Sequence, residues 1–241
     1  MSELAQPTPA PKPDIHVSMS NVVKFVRQLS HDLRNHLNAA ELQSAYIAEI
    51  AETPELKEEV KRLRAMISEV GASLQRVTTA LSSPRLTSMP YGAADFVEDL
   101  RQKVASVYPA ESSKVDWSTQ VGDAGLDIDP QSLQPALLEL FANAFRHDRG
   151  EGVISVGARI EGDRFVLTIR EPKRNAQSST ENWGGEPFRA IGQGHYGLGL
   201  HRSRAIIEAH RGQLNARYDS PGPFLVTTVA LPLADPAGNR P

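Results

Sequence analysis

The 241-residue chain contains no cysteine. That removes disulfides, thiolate nucleophiles and Cys-based zinc sites together, and fits a reducing compartment such as the cytoplasm. No apolar run approaches the roughly 20 residues a membrane-spanning helix needs, and the first residues carry no signal-peptide pattern. Neither sign of charge dominates: 26 Lys+Arg against 29 Asp+Glu leave a formal charge of −3, which favours neither nucleic acid nor an anionic membrane. The expectation is a cytoplasmic protein with no membrane span and no nucleic-acid partner. What is present, 40% hydrophobic residues, suffices for a hydrophobic core in one large domain or two small ones. It leaves no room for a sensor domain, so a stimulus is expected to arrive through an upstream sensor protein.

Texture divides the chain. Residues 1–17, rich in Pro and Ala, read as a disordered tail. Val22, Val26, Leu29, Leu33, His36, Ala40, Ile47 and Ile50 then fall on alternating four- and three-residue steps, with Gln43 at one seam position. Leu56, Val60, Leu63, Ile67, Val70, Leu74, Val77 and Leu81 repeat the rhythm without a break. Thr53 and Pro54 read as N-cap and first residue of the second helix, so residues 18–83 form a tight antiparallel hairpin. A lone hairpin buries one stripe only, and pairing two copies into a four-helix bundle is the expected solution, hence a homodimer. From residue 84 to 241 strands and helices alternate. Helices are expected at 93–107, 130–147 and 197–211, and strands near 114–121, 125–128, 152–160 and 164–170. A hairpin over 213–232 completes a two-layer α/β sandwich.

Two constellations carry chemistry. With Val26 and Leu33 at a and Leu29 and His36 at d, His31 falls at f, the outermost position of the first helix. Asp32 follows it and Asn35 lies one turn on. A carboxylate can hold one imidazole N–H and leave the other nitrogen as nucleophile, and an amide one turn away can position water. The same spacing also suits a solvated helix face. On the helix at 130–147, Glu139, Asn143, Arg146 and His147 share one arc opposite Leu133, Leu137, Phe141, Ala144 and Phe145. Carboxylate and amide oxygens suit Mg²⁺ and the cations suit phosphate, although an amphipathic helix with its wet side outward reads equally well. Gly197-Leu198-Gly199 then opens a helix, where close backbone approach and free N–H groups attract phosphate.

The segment SHDLRNHLNA resembles the H-box of two-component histidine kinases, LLELFANAFRHD the N-box of the ATPase superfamily shared by those kinases, gyrase and heat-shock chaperones, and GHYGLGL with the following helix the kinase G2 box. Glu186-Pro187-Phe188 is similar to the F-box of the ATP lid, expected over 172–196, and the closing PGPFLVTTVALPL to the last strand. The resemblance implies that His31 is the phosphoacceptor, that Asp32 assists proton removal and that Asn35 orients water for dephosphorylating a partner. It makes Asn143 the magnesium-binding asparagine. Glu139 stands where many kinases have a second Asn and gyrase-like ATPases have Glu, so the pair is the expected metal set. His36 replaces a frequent helix-kinking Pro and reads as a core or interface histidine. Where the family carries Asp-x-Gly-x-Gly for adenine, this chain has Glu171-Pro172-Lys173-Arg174-Asn175. Either Glu171 recognises adenine in a remodelled pocket, or nucleotide binding is weakened or lost.

The function so implied is ATP- and Mg²⁺-dependent autophosphorylation of His31, then transfer to an aspartate on a response regulator receiver domain. The alternative is an ATP-independent histidine phosphotransferase or response-regulator phosphatase on a degenerate kinase scaffold.

Overall fold

The computed structural model describes residues 17–175, 180, 183–185, 187, 197–219 and 222–234. The expected tail (apart from Val17), most of the expected lid, both Glu186 and Phe188, and Gly194 to Tyr196 lie outside the described residues. The chain divides into two compact units, Met1–Thr79 and Ala80–Pro241.

The first unit is built on α1 (Met19–Ile50) and α2 (Pro54–Ala80). Ser18 caps α1 by accepting from Asn21 N–H. Thr53 caps α2 by accepting from Leu56 N–H at 3.2 Å, with Pro54 at the first helical position, where its missing N–H costs nothing. Within the hairpin the buried or half-buried positions include Val22, Val23, Val26, Ser30, Leu37, Ser44, Ile47 and Ala48 on α1 with Ala51 at its C-cap, and Val60, Ile67, Gly71, Leu74, Val77 and Thr78 on α2. The seam read from sequence is therefore only partly covered within one chain. Leu29, Leu33, Ile50, Leu56, Leu63 and Val70 remain 40–57% exposed, and His36 is exposed with them.

The second unit opens with β1 (Met89–Gly92), paired antiparallel with β3 (Gly125–Ile128). A five-stranded sheet is ordered β2 (Val115–Gln120), β4 (Ile154–Glu161), β5 (Arg164–Pro172), β7 (Phe224–Pro232), β6 (Gln213–Asp219). Only the β2–β4 pair is parallel. One face of the sheet is covered by α3 (Ala93–Val107), α5 (Pro130–Arg146) and α6 (Gly199–Ala209), whose Phe96, Leu100, Leu137, Phe141 and Ile207 are fully buried. A short α4 (Pro109–Ser112) links α3 to β2. The fold class is thus a helical hairpin followed by a two-layer α/β sandwich. β1 and α4 were not legible from periodicity, being four residues each.

Strand parity decides what happens at the end of β5. Phe165, Leu167 and Ile169 project into the helix-facing core, and alternation carries Glu171 and then Lys173 onto the same side. Beyond β5 the chain is held from two directions. Lys173 N–H donates to Pro223 O (2.7 Å), and Gly150 N–H donates to Pro172 O (2.8 Å). Gly150 has to be glycine here, because a Cβ would stand 2.7 Å from Lys173 O.

Candidate functional site

On α1 the His31 side chain is 69% exposed, its Nδ1 lying 3.2 Å from Asp32 Oδ1. Gln28 Nε2 donates to the same oxygen at 2.9 Å. The hydrogen bond from His31, then that from Gln28, hold the Asp32 carboxyl below the usual carboxylate range. An ionised carboxylate only accepts, so Nδ1 of His31 is the donor in this bond and Nε2 is the ring nitrogen left to act as nucleophile. The preceding residue ties α1 to α2: Ser30 is 2% exposed and its hydroxyl accepts from that of Thr78 at 2.9 Å. Asn35 is exposed one turn further on. The serine–threonine bond was missed in the sequence, where a polar residue beside the seam reads as surface.

In the second unit α5 carries three of the expected residues at one-turn intervals. Asp129 caps this helix, accepting from Ser132 N–H at 3.1 Å, and His210 Nε2 accepts the Asp129 N–H at 3.0 Å while Nδ1–H bonds Ile206 O at 2.8 Å. His210 is therefore a buried strut between α5 and α6. Glu139 is half-buried against the start of α6, so closely that a Cβ on residue 199 would overlap its carboxylate. Gly197 has φ +61°, which glycine alone adopts without strain, and Leu198 at the cap position supplies no side-chain hydrogen bond to the first amides of α6. Amides so placed, with the helix dipole, suit an anion. Asn143, half-buried, has its Nδ2 sealed from solvent without a hydrogen-bond partner among the described residues. An amide so placed is suited to a ligand group. Arg146 is exposed, and His147, also exposed, ends α5 as its C-cap.

A charge pair lies beside His147 at the end of α5. Lys173 Nζ lies 2.8 Å from Glu171 Oε2 and donates to His147 O at 2.6 Å, with side-chain exposures of 6% and 3% for Lys173 and Glu171. Burial pushes the Glu171 carboxyl up, and the Lys173 ammonium opposes that rise. In the sequence Lys173 stands only as part of the segment that replaces the family's Asp-x-Gly-x-Gly run. Its ion pair was within reach of the strand-parity argument, because residues two apart on a strand share a face.

Glu139 and Asn143 fit a Mg²⁺–phosphate group in donor type, since Mg²⁺ takes oxygen ligands from one or two protein side chains plus substrate phosphates. Among the described residues no cluster of three or more His, Cys, Asp or Glu could hold a metal alone.

Residues 128–235 match the family of histidine kinase-, DNA gyrase B- and HSP90-like ATPases. The chain is 25% identical over 219 residues to the alginate biosynthesis sensor protein KinB of Pseudomonas aeruginosa, covering 87% of this chain and 37% of that protein. It is 26% identical over 209 residues to the sensor histidine kinase ZraS of Klebsiella oxytoca, covering 85% and 45%. It spans half or less of the length of these relatives. Among solved structures, full-length ShkA in complex with AMPPNP shares the fold with a TM-score of 0.65 at 18% identity, covering 89% of this chain and 47% of that one. The histidine kinase AdeS of Acinetobacter baumannii does so with a TM-score of 0.51 at 17% identity, covering 85% and 98%. Among the described residues no helix is long and apolar enough to cross a membrane.

Proposed function

We propose that this chain, whose residues 128–235 match the histidine kinase-, DNA gyrase B- and HSP90-like ATPase family, is the phosphotransfer core of a cytoplasmic two-component histidine kinase. The observation that carries the reading is the exposed His31 imidazole, with Nδ1 held by Asp32 and Nε2 left to act as nucleophile. ATP binds with its phosphates toward the amides of Gly197–Gly199. Glu139 and Asn143 hold a Mg²⁺ ion, which supplies neutralisation of phosphate charge when bound. His31 Nε2 attacks the γ-phosphorus as the bond to the β,γ-bridging oxygen breaks and ADP leaves. The Nδ1 proton passes to Asp32, leaving a neutral ring that carries the anionic phosphoryl group on Nε2. The phosphoryl group then goes to an aspartate on a response regulator receiver domain, and Asn35 positions water when the regulator is dephosphorylated. The half-exposed leucine stripe on α1 and α2 supports a homodimer, and an upstream sensor protein supplies the stimulus.

Incubation of the full chain with [γ-³²P]ATP should give acid-labile label that His31→Ala abolishes; absence of label in the wild type rejects the kinase reading. The buried Lys173–Glu171 pair favours one second reading, an ATP-independent histidine phosphotransferase or regulator phosphatase. In that case His31 takes label from a phosphorylated receiver domain but not from ATP.

A further inference from the structure

Along one face of α5, Glu139, Asn143 and His147 mark a line eight residues long, roughly 12 Å at the helical rise. At one end lie uncapped helix amides and a glycine pressed against a carboxylate, a phosphate-type end. At the other lies a buried carboxylate already occupied by an internal cation. Resting on the reading above, in which Glu171 stands at the base-recognition position, we infer that Lys173 is a specificity-determining residue. It occupies the carboxylate that would read an exocyclic amino group, so nucleotide recognition rests on the phosphates and is nearly blind to the base.

Geometry argues that the occupation is firm. One ammonium proton is committed to His147 O, a bond that ties the lysine to the end of α5, and the ammonium stands in an ion pair 2.8 Å from Glu171 Oε2. The Lys173 backbone has little room to withdraw. Its N–H is bonded to Pro223 O, its carbonyl is packed against Gly150, and the next residue's N–H donates to Asp148 O at 3.0 Å. Asp148 itself holds φ +45°, a left-handed conformation that few non-glycine residues adopt. A base amino group arriving at Glu171 finds its charge neutralised and its approach shared with the lysine stem. A 6-keto purine loses nothing by comparison, since it offers no amino donor there.

The test is isothermal titration calorimetry of the full chain with Mg²⁺ and either adenylyl or guanylyl imidodiphosphate. The variants are Lys173→Ala and Glu171→Gln/Lys173→Ala, the second leaving no uncompensated buried charge if the first folds poorly. The expected wild-type result is near-equal affinity for the two analogues, or none measurable. In either variant the adenine analogue should tighten by about tenfold or more, the worth of one hydrogen bond to a strong acceptor, with the guanine analogue unmoved. If the wild type binds neither analogue and the variants bind the adenine one, the kinase reading fails and the role of Lys173 stands. If the wild type already prefers adenine about tenfold and the variants do not increase it, the role of Lys173 is overturned while the kinase reading survives. If no form binds either analogue, both are overturned.

Discussion

Lys173 Nζ sits 2.8 Å from Glu171 Oε2 inside the helix-covered face of the sheet, with neither side chain more than 6% exposed. A pair this deep is costly to break and nearly neutral to replace, because removing one partner strands a buried charge. Lys173→Met or Glu171→Gln alone should each cost about 3–5 kcal/mol, and the double variant clearly less than the sum. Urea unfolding of all four forms measures the coupling. The sign with pH follows from the raised Glu171 carboxyl. A carboxyl raised on folding favours the native state while protonated and penalises it as pH climbs from the ordinary carboxylate value toward the folded one. The deficit of Lys173→Met should therefore shrink as the pH is lowered toward about 4, where the stranded carboxyl takes up a proton.

At His31 the prediction concerns the proton. Asp32→Asn keeps the shape but lets the side chain donate, so the ring is no longer fixed with hydrogen on Nδ1 and the proton has no acceptor. Phosphorylation of His31 should fall by about 10²-fold, the usual share of a positioned base, with the hairpin's melting behaviour unchanged. The Asp32 carboxyl is held below the usual range by its hydrogen bonds from His31 and Gln28, so it stays ionised between pH 5 and 8. A rate lost in the wild type across that window does not come from Asp32. Quench-flow labelling across pH in both forms checks this, and an Asp32→Asn rate equal to wild type would remove Asp32 from the mechanism.

Gly199 offers a test of the phosphate-type end. A methyl group there has no place to go except into the Glu139 carboxylate, so Gly199→Ala displaces a half-buried side chain from the start of α6. Binding of inorganic triphosphate with Mg²⁺, followed by calorimetry, should weaken by about tenfold or more, while far-ultraviolet circular dichroism stays unchanged.

Much of this was legible because periodicity is strong where elements are long. The 32- and 27-residue helices of the hairpin and the three helices on the sheet follow from apolar spacing, and Thr53-Pro54 announces the turn. What periodicity could not give is which of two apolar stripes a helix buries within its own chain. The heptad seam names Leu29 and Leu33, yet the single hairpin covers Ser30 and Leu37 instead, because a helix of 3.6 residues per turn presents adjacent stripes to different neighbours. Pairings between distant residues were equally hidden. Ser30 with Thr78 and Asp129 with His210 are each separated by dozens of positions, and neither residue type signals a buried hydrogen bond when read alone. The glycines and amides of the nucleotide-type segments were visible by motif. Strand parity could have put Lys173 and Glu171 on one side, but the bond from Lys173 to His147 O joins residues 26 positions apart and needed the fold.

The helix that carries Glu139 and Asn143 is itself set by Asp129, and its stability should report that residue's ionisation. Burial raises the Asp129 carboxyl, but the N–H of Thr87, the hydroxyl and N–H of Ser132 and the Gln131 N–H outweigh burial and hold it below the ordinary value. Its two oxygens take Thr87 N–H at 3.0 Å, Ser132 N–H at 3.1 Å and the Ser132 hydroxyl at 3.0 Å, so the cap fastens α5 and the segment entering β1 together. A carboxyl lowered on folding contributes stability that is complete above the unfolded value and lost as pH falls through it toward the folded one. Unfolding free energy of the second unit should therefore decline below about pH 4, and Asp129→Ala should cost about 1–2 kcal/mol at pH 7 while flattening that decline. Asp129→Asn keeps the acceptor for the amides and should fall between the two. A pH profile for Asp129→Ala parallel to wild type through the acid range would show that other carboxylates, not this cap, govern the acid sensitivity of the unit.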